Sequence, residues 1–201
     1  MGAKRREPTG DDGDGSDLRP EIAVSWRRSE WAGVSAAAAE PAPVDVDLEH
    51  RLLRAAAPVL DRVGRQLLGT GLSLVLTDSE ASILARRAGN AHLDTVLDDV
   101  GVAPGYSYAE DHVGTNGMGT AAEERRPVQV RGEEHYAEQL RDLTCVGVPI
   151  IHPVTGAVEG VLDVTCFNPD ASPVLLPLVM EAVRDVQTRL AETTSVREHL
   201  V

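Results

Sequence analysis

The chain has 201 residues, 42 % of them apolar and only 3 % aromatic, with a formal net charge of −13. That length suits one domain with ragged ends and a core needing no disulfide or metal staple, and the acidity speaks against nucleic-acid binding by this chain alone. No apolar run near the N-terminus resembles a secretory signal, and none reaches the roughly 18 residues of a membrane span, so a cytoplasmic protein is expected.

Residues 1–18, rich in Gly, Asp and basic side chains, read as a disordered tail. Residues 19–34 read as a lead-in helix: Pro20 suits a first turn and Gly33 a stop, with Ile22, Trp26 and Ser29 on one face. Trp26 and Trp31 are both expected to be buried. Prolines then end a linker at 35–43, and the compact domain is expected over 45–193, with a short tail at 194–201.

Leu48, Leu52, Ala56, Val59, Val63 and Leu67 recur at helical steps, predicting an amphipathic helix over 47–68, kinked by Pro58 near Arg54. Strands at 72–78 and 82–87 form a hairpin, followed by a short helix at 91–100. Residues 101–121 carry too many glycines for a regular element, and 121–126 read as one or two helical turns. A strand at 127–132, a helix at 133–142 with acids in its first turn, and strands at 143–153 and 157–167 follow, with a bulge expected at Gly160. A last helix begins after Ser172-Pro173, its apolar stripe running from Leu175 to Leu190. Short turns between neighbouring strands imply antiparallel pairing. An α+β fold follows, with the domain's first and last helices on one face of the sheet. The long loop and short helices cover the other face, leaving a concave space for a small ligand.

Three segments carry a resemblance. SYAEDHVGTNGMGTA (107–121) is similar to the E-x-x-x-GTN-x-x-GTA run of the GAF domain in acetoin-regulator-like bacterial transcription factors. IAVSWRRSEWAGV (22–34) and PIIHPVTGAVEGVLDVT (149–165) resemble the lead-in and the paired strands of the same regulators. The resemblance implies a GAF-like antiparallel sheet of five or six strands and a domain that binds a small organic effector. It further implies output through an ATPase or helix-turn-helix module. The residues after Leu190 hold neither, so the chain reads as a stand-alone sensor or as part of a longer regulator. No cofactor is expected, and a homodimer through the terminal helices is.

Candidate ligand contacts are Tyr106, Tyr108, Glu110, His112, Thr115, Asn116, Thr120, Cys145 and Asp163. Each has a structural alternative. The two tyrosines, Glu110 and His112 also suit pinning the loop, and Thr115, Asn116 and Thr120 suit capping a helix. Gly114, Gly117 and Gly119 permit positive φ and close approach. Asp163, in an apolar strand, needs a partner such as a loop N–H. Cys145 and Cys166 are either small buried hydrophobes or, if their strands bring them together, a redox pair of the methionine-sulfoxide-reductase kind. A haem or iron site drawing on His112, His135 and His152 is a further alternative, although no metal-ligand spacing is present, and His152 reads as a hairpin residue. No catalytic residue is expected, because no nucleophile-base signature appears.

Overall fold

The computed structural model describes residues 18–47 and 49–198, so the expected tail at 1–17, Leu48 and residues 199–201 lie outside the described residues. In chain order the elements are α1 (Pro20–Trp31), β1 (Ala42–Pro43), α2 (Arg51–Leu67), β2 (Leu72–Asp78), β3 (Ile83–Ala88), α3 (Ala91–Asp99) and β4 (Tyr106–Ser107). They continue with α4 (Glu110–Val113), α5 (Gly117–Glu124), β5 (Val128–Arg131), β6 (Leu143–Ile151), β7 (Val158–Phe167) and α6 (Leu175–Glu198). Five strands form one antiparallel sheet in the order β3-β2-β7-β6-β5, and β1 pairs with β4 apart from it. This is the α+β arrangement that the GAF resemblance implied.

Strand alternation divides the sheet's side chains. Leu74, Leu76, Val146, Val148, Ile150, Leu162, Val164 and Cys166 point to one face, where Leu52, Val59, Leu60 and Val63 of α2 and Leu175, Val179, Val186 and Leu190 of α6 close over them. Each fully buried leucine there contributes roughly 2 kcal/mol of hydrophobic stabilisation. Val75 and Leu143 point to the other face, under Leu93 and Leu97 of α3, Val113 of α4, Met118 of α5, and Tyr108. A third cluster, Ile22, Ala121, Val128, Val130 and Val161, binds α1 to α5 and the β5 side of the sheet. The lead-in helix therefore packs as part of the domain.

The bulge expected at Gly160 is present one residue away: Ile150 pairs with Gly160 and Ile151 with Val158, leaving Glu159 as the extra residue. Helix α2 begins at Arg51 and continues through Pro58 to Leu67, with the His50 side chain accepting from Leu52 N. Helix α6 continues to Glu198, past the tail boundary expected at 194.

Three expectations are corrected. Residues 133–142 form no α-helix but two 3₁₀ turns, Gly132–Glu134 and Glu138–Leu140. Tertiary acceptors capture the N–H groups a helix would use, Tyr136 N donating to Thr115 O at 3.2 Å and Glu138 N to Ala36 O at 2.9 Å. The second concerns the glycine-rich run, which is helical from Gly117 rather than from 121, and α5 ends at a left-handed Arg125. Thirdly, Trp31 is 97 % exposed, because the buried face of α1 is set by Ile22, Ser25 and Ser29 and Trp31 falls off it.

Candidate functional site

Helix α5 lies over the sheet at van der Waals contact, so the concave space expected there between sheet and glycine-rich segment is closed, because glycines at 117 and 147 let helix and strand meet. A Cβ on Gly147 of β6 would strike the Gly117 carbonyl, and one on Gly117 would strike Asp163 and Cys145, so glycine at both positions lets helix and sheet touch. Gly114 turns the chain into α5 at φ 74°, in the left-handed region, with Tyr136 packed against it. Gly117 and Gly119 are helical, so the positive-φ expectation holds for Gly114 alone of the three. Asn116 caps the helix, its Oδ1 accepting from Met118 N and Gly119 N at 2.9 Å each while Nδ2 donates to the carbonyls of Tyr108 and Gly114.

Thr120 Oγ1 accepts from Asn116 N at 3.2 Å at the start of α5, while Thr115 caps no helix among the described residues; both also join α1 to this roof. Ser25 Oγ of α1 donates to Glu110 Oε1, and with its only proton so used it accepts from Thr115 Oγ1 at 2.6 Å and Thr120 Oγ1 at 3.1 Å. Arg28 grips the same carboxylate with both Nε and Nη2, at 2.6 and 2.9 Å, and reaches Glu124 of α5 through Nη1 at 2.8 Å. The fork geometry makes this a strong charge-assisted pair. Glu110, first among the causes, raises Arg28 above the ordinary guanidinium value. Arg19 and Trp26 add a second anchorage: Arg19 pairs with Glu134 at 2.6 Å, Trp26 Nε1 donates to Glu134 O at 2.8 Å, and its ring meets Tyr136 edge-on at 5.2 Å. The lead-in motif and the glycine motif are thus two halves of one hydrogen-bonded lock.

Beneath the roof the sheet is polar. Ser73, Thr165 and Cys145 lie side by side on β2, β7 and β6, and Asp163 occupies the next row beside Val75 and Gly147. All four side chains are buried. Thr165 Oγ1 donates to Asp163 Oδ2 at 2.7 Å and lies 3.4 Å from Cys145 Sγ. Asp163 Oδ1 and Ser73 Oγ have no hydrogen-bond partner among the described residues. The loop N–H expected to satisfy Asp163 is not supplied, and burial pushes its carboxyl up from 3.8 to about 7. Burial also raises Cys145 well above the ordinary thiol range and Cys166 to about 11. Cys145 pairs with Thr165, and Thr144 with Cys166, so alternation sends the two thiols to opposite faces of the sheet and they form no pair.

Of the other candidates, Tyr108 is pinned: its hydroxyl donates to Val100 O at 2.6 Å, and burial raises its phenol above the ordinary value. Tyr106 is half-exposed on β4. Glu110 and His112 line an open cleft of about 530 Å³ between α1, the β2–β3 turn and α4–α5, which Arg28, Glu80, Ser82 and Glu123 also border. Tyr106, Tyr108, Thr115, Asn116, Thr120, Cys145 and Asp163 do not line that cleft. The candidates are therefore scattered: Glu110 and His112 line the cleft, Glu110, Thr115 and Thr120 form the lock, Cys145 and Asp163 stand in the polar rows, Asn116 caps α5, and the two tyrosine side chains take part in none of these. His135 is fully buried and lowered to about 4 by desolvation, while His152 accepts from Val154 N and Thr155 N in its hairpin. Among the described residues no three His, Cys, Asp or Glu side chains gather as metal ligands, and no helix is long and apolar enough to cross a membrane.

Sequence reasoning missed Ser25, Arg28 and Ser73. The first two stand in the lead-in segment that carried the resemblance, and pairing Arg28 with the glutamate of the second motif was an available signal. Ser73 interrupts the apolar strand Leu72-Ser73-Leu74-Val75, where a small polar residue in a buried strand was the only cue.

Comparison with known proteins gives concordant results. The family described as "MimR, N-terminal domain" matches residues 15–188. The propane 2-monooxygenase operon transcriptional activators MimR of Mycolicibacterium goodii and M. smegmatis are 41 % identical over 174 residues and 44 % identical over 167. These alignments cover 86 % and 83 % of this chain but 30 % and 29 % of those proteins, so the chain spans under a third of their length. The acetoin dehydrogenase operon transcriptional activator AcoR of Bacillus subtilis is 27 % identical over 193 residues, 92 % of this chain and 32 % of that one. Among solved structures, the E. coli DhaR(N)–DhaL complex superimposes with a TM-score of 0.82 at 21 % identity, covering 90 % of this chain and 63 % of that one. That likeness establishes the fold.

Proposed function

The chain belongs to the MimR N-terminal domain family, and on that premise we propose that it is the signal-sensing domain of a bacterial transcriptional activator, acting in the cytoplasm. In this reading it binds a small organic effector under α5 and performs no catalysis. The relatives are activators of operons for small-molecule metabolism, and about two thirds of their length lies outside the matched segment, where an output function would reside.

The observation that carries the proposal is the unsatisfied polar row. Native interiors pair nearly all their buried polar groups, and of the buried atoms without a hydrogen-bond partner among the described residues, which also include His112 Nδ1, His135 Nε2 and Arg141 Nε, Asp163 Oδ1 and Ser73 Oγ are the two that neighbour each other on one sheet face. Asp163 and Cys145 are the proposed contacts in the row. Glu110, Thr115, Asn116 and Thr120 hold the roof; His112 lines the outer cleft, and Tyr106 and Tyr108 are structural rather than ligand contacts. Occupancy acts on α5, and the Glu110–Arg28 lock carries the displacement to α1. Such coupling requires the effector to bind the two arrangements with different affinity. The redox alternative lacks support, since the thiols are held protonated and apart.

Native mass spectrometry of freshly purified protein tests the proposal. A co-purifying adduct of small-molecule mass is expected. A bare protein mass, with no change in melting temperature on adding a filtered metabolite extract, rejects it. Dimerisation through α2 and α6 is part of the same proposal, supported by the apolar residues left exposed near their ends, Leu68, Val174 and Leu176. A monomer mass by light scattering at micromolar concentration removes that part.

A second reading, docking of a protein partner on α1, is favoured by the exposure of Trp31 at 97 % with Val24 one heptad before it. DhaR, whose N-terminal part shares this fold, is seen in complex with the protein DhaL. Effector binding unaffected by Trp31→Ala, with loss of transcriptional output, separates this reading from the first.

A further inference from the structure

We propose that Asp163 and Ser73 form a hydroxyl-recognition subsite, in which a small aliphatic alcohol group donates to Asp163 Oδ1 and accepts from Ser73 Oγ. This rests on the sensing function proposed above and names the ligand chemistry within it.

The two atoms set complementary demands. With its carboxyl raised to about 7, Asp163 is ionised only above that pH, where its oxygen solely accepts, whereas a serine hydroxyl both donates and accepts. Asp163 Oδ2 is already served by Thr165, leaving Oδ1 as an isolated acceptor in a buried setting. Ser73 stands opposite Thr165 on the neighbouring strand, two residues along from Asp163. The two side chains are therefore diagonal neighbours on one sheet face, a spacing of roughly 7–8 Å between residues across which side chains interact. A single hydroxyl satisfies both atoms at once. A ketone oxygen supplies no donor for Asp163. A carboxylate brings like charge against it, and an ammonium, a donor only, has no lone pair to accept from Ser73 Oγ. On the same face Val75, Tyr108 and Met118 form an apolar surround suited to a short carbon stem.

The packing also fixes what binding must do. One carbon added at Gly117 would already collide with Asp163. An alcohol of several carbons therefore enters only as the N-terminus of α5 yields. Gly114, just before α5, is packed on Tyr136, whose ring meets Trp26. Movement of α5 consequently reaches an indole that can be monitored.

The test is a titration of the whole chain at about pH 8.5, where Asp163 is ionised, with four probes of matched size: 2-butanol, butanone, butylammonium and butyrate. It is read by melting temperature and by Trp26 fluorescence in a Trp31→Phe background. 2-Butanol is expected to bind best and to shift the Trp26 emission. Asp163→Asn should weaken it tenfold or more, and Ser73→Ala severalfold, with the other probes little changed. Asp163→Asn relieves an unpaired carboxylate and should fold; Ser73→Ala gives an independent variant. Equal binding of alcohol and ketone, alcohol affinity unmoved in both variants, or no binding by any probe overturns the hydroxyl subsite. An adduct in the native mass spectrum alongside any of these results leaves the sensing function standing and places its ligand chemistry elsewhere. A crystal structure in 2-butanol showing an undisplaced water between the two atoms likewise overturns the subsite.

Discussion

The two faces of the five-stranded sheet are made by alternate residues of the same strands, and they are closed in different ways. Under α2 and α6 lie leucines, valines, Ile150 and one buried cysteine, and the covering helices present long apolar stripes. Under α5 the middle of the sheet holds Ser73, Asp163, Thr165 and Cys145, covered by an eight-residue helix held down by its cap, by glycine contacts and by the lock to α1. The first face contributes stability through burial. The second gives some of it up, since an unpaired carboxylate in a dry interior costs free energy. The proposed effector site lies where such a group is retained beneath a roof fixed by specific polar contacts rather than by an apolar stripe.

That contrast can be broken or sharpened by substitution. The largest effect concerns Asp163. Its folded-state carboxyl, raised from 3.8 to about 7, holds a proton that the unfolded chain has released across that range. Stability therefore falls as pH rises from about 4 to 7, by roughly 4 kcal/mol at most, and is regained on acidification. Asp163→Asn should remove this slope and be the more stable protein at pH 8, as measured by urea unfolding. His135 pulls the opposite way, because its lowered value makes the fold lose stability as pH drops from 6.5 towards 4. The variant minus wild-type difference isolates Asp163.

On the apolar face Leu162→Ala should cost about 3 kcal/mol in the same measurement, at every pH, through lost burial and a residual cavity. A cost that varies with pH would mean that the faces are not independent. Arg28→Ala strips Glu110 of its forked partner and should cost about 2 kcal/mol. It should also speed amide exchange in α1 and around Glu110 while leaving α6 protected, and uniform loss of protection would deny that the lock is local. Trp31→Ala, at an exposed position, should change stability by less than about 0.5 kcal/mol.

Much of the fold was legible because its signals are local. The β6–β7 hairpin announced itself by its turn, and the stripe of α6 by its period. The polar roof was not legible in the same way. Glycine disfavours helix, so Gly117-Met118-Gly119 reads as loop, and it becomes α5 because only glycine permits contact with Gly147 and because Asn116 caps the end. Residues 133–142 have the composition of a helix and lose it to acceptors on Thr115 and Ala36, which no local pattern reveals. Asp163 stood out as a carboxylate among apolar neighbours. Ser73 acquires meaning only from the register that sets it diagonal to Asp163.

The most direct measurement is a carbon-detected NMR titration of the Asp163 side-chain carboxyl in the ligand-free protein. A midpoint close to 7 is expected if the group is buried without a partner. A midpoint near 4, the value of a solvated or well-paired aspartate, would contradict the polar, unsatisfied face on which the functional account stands.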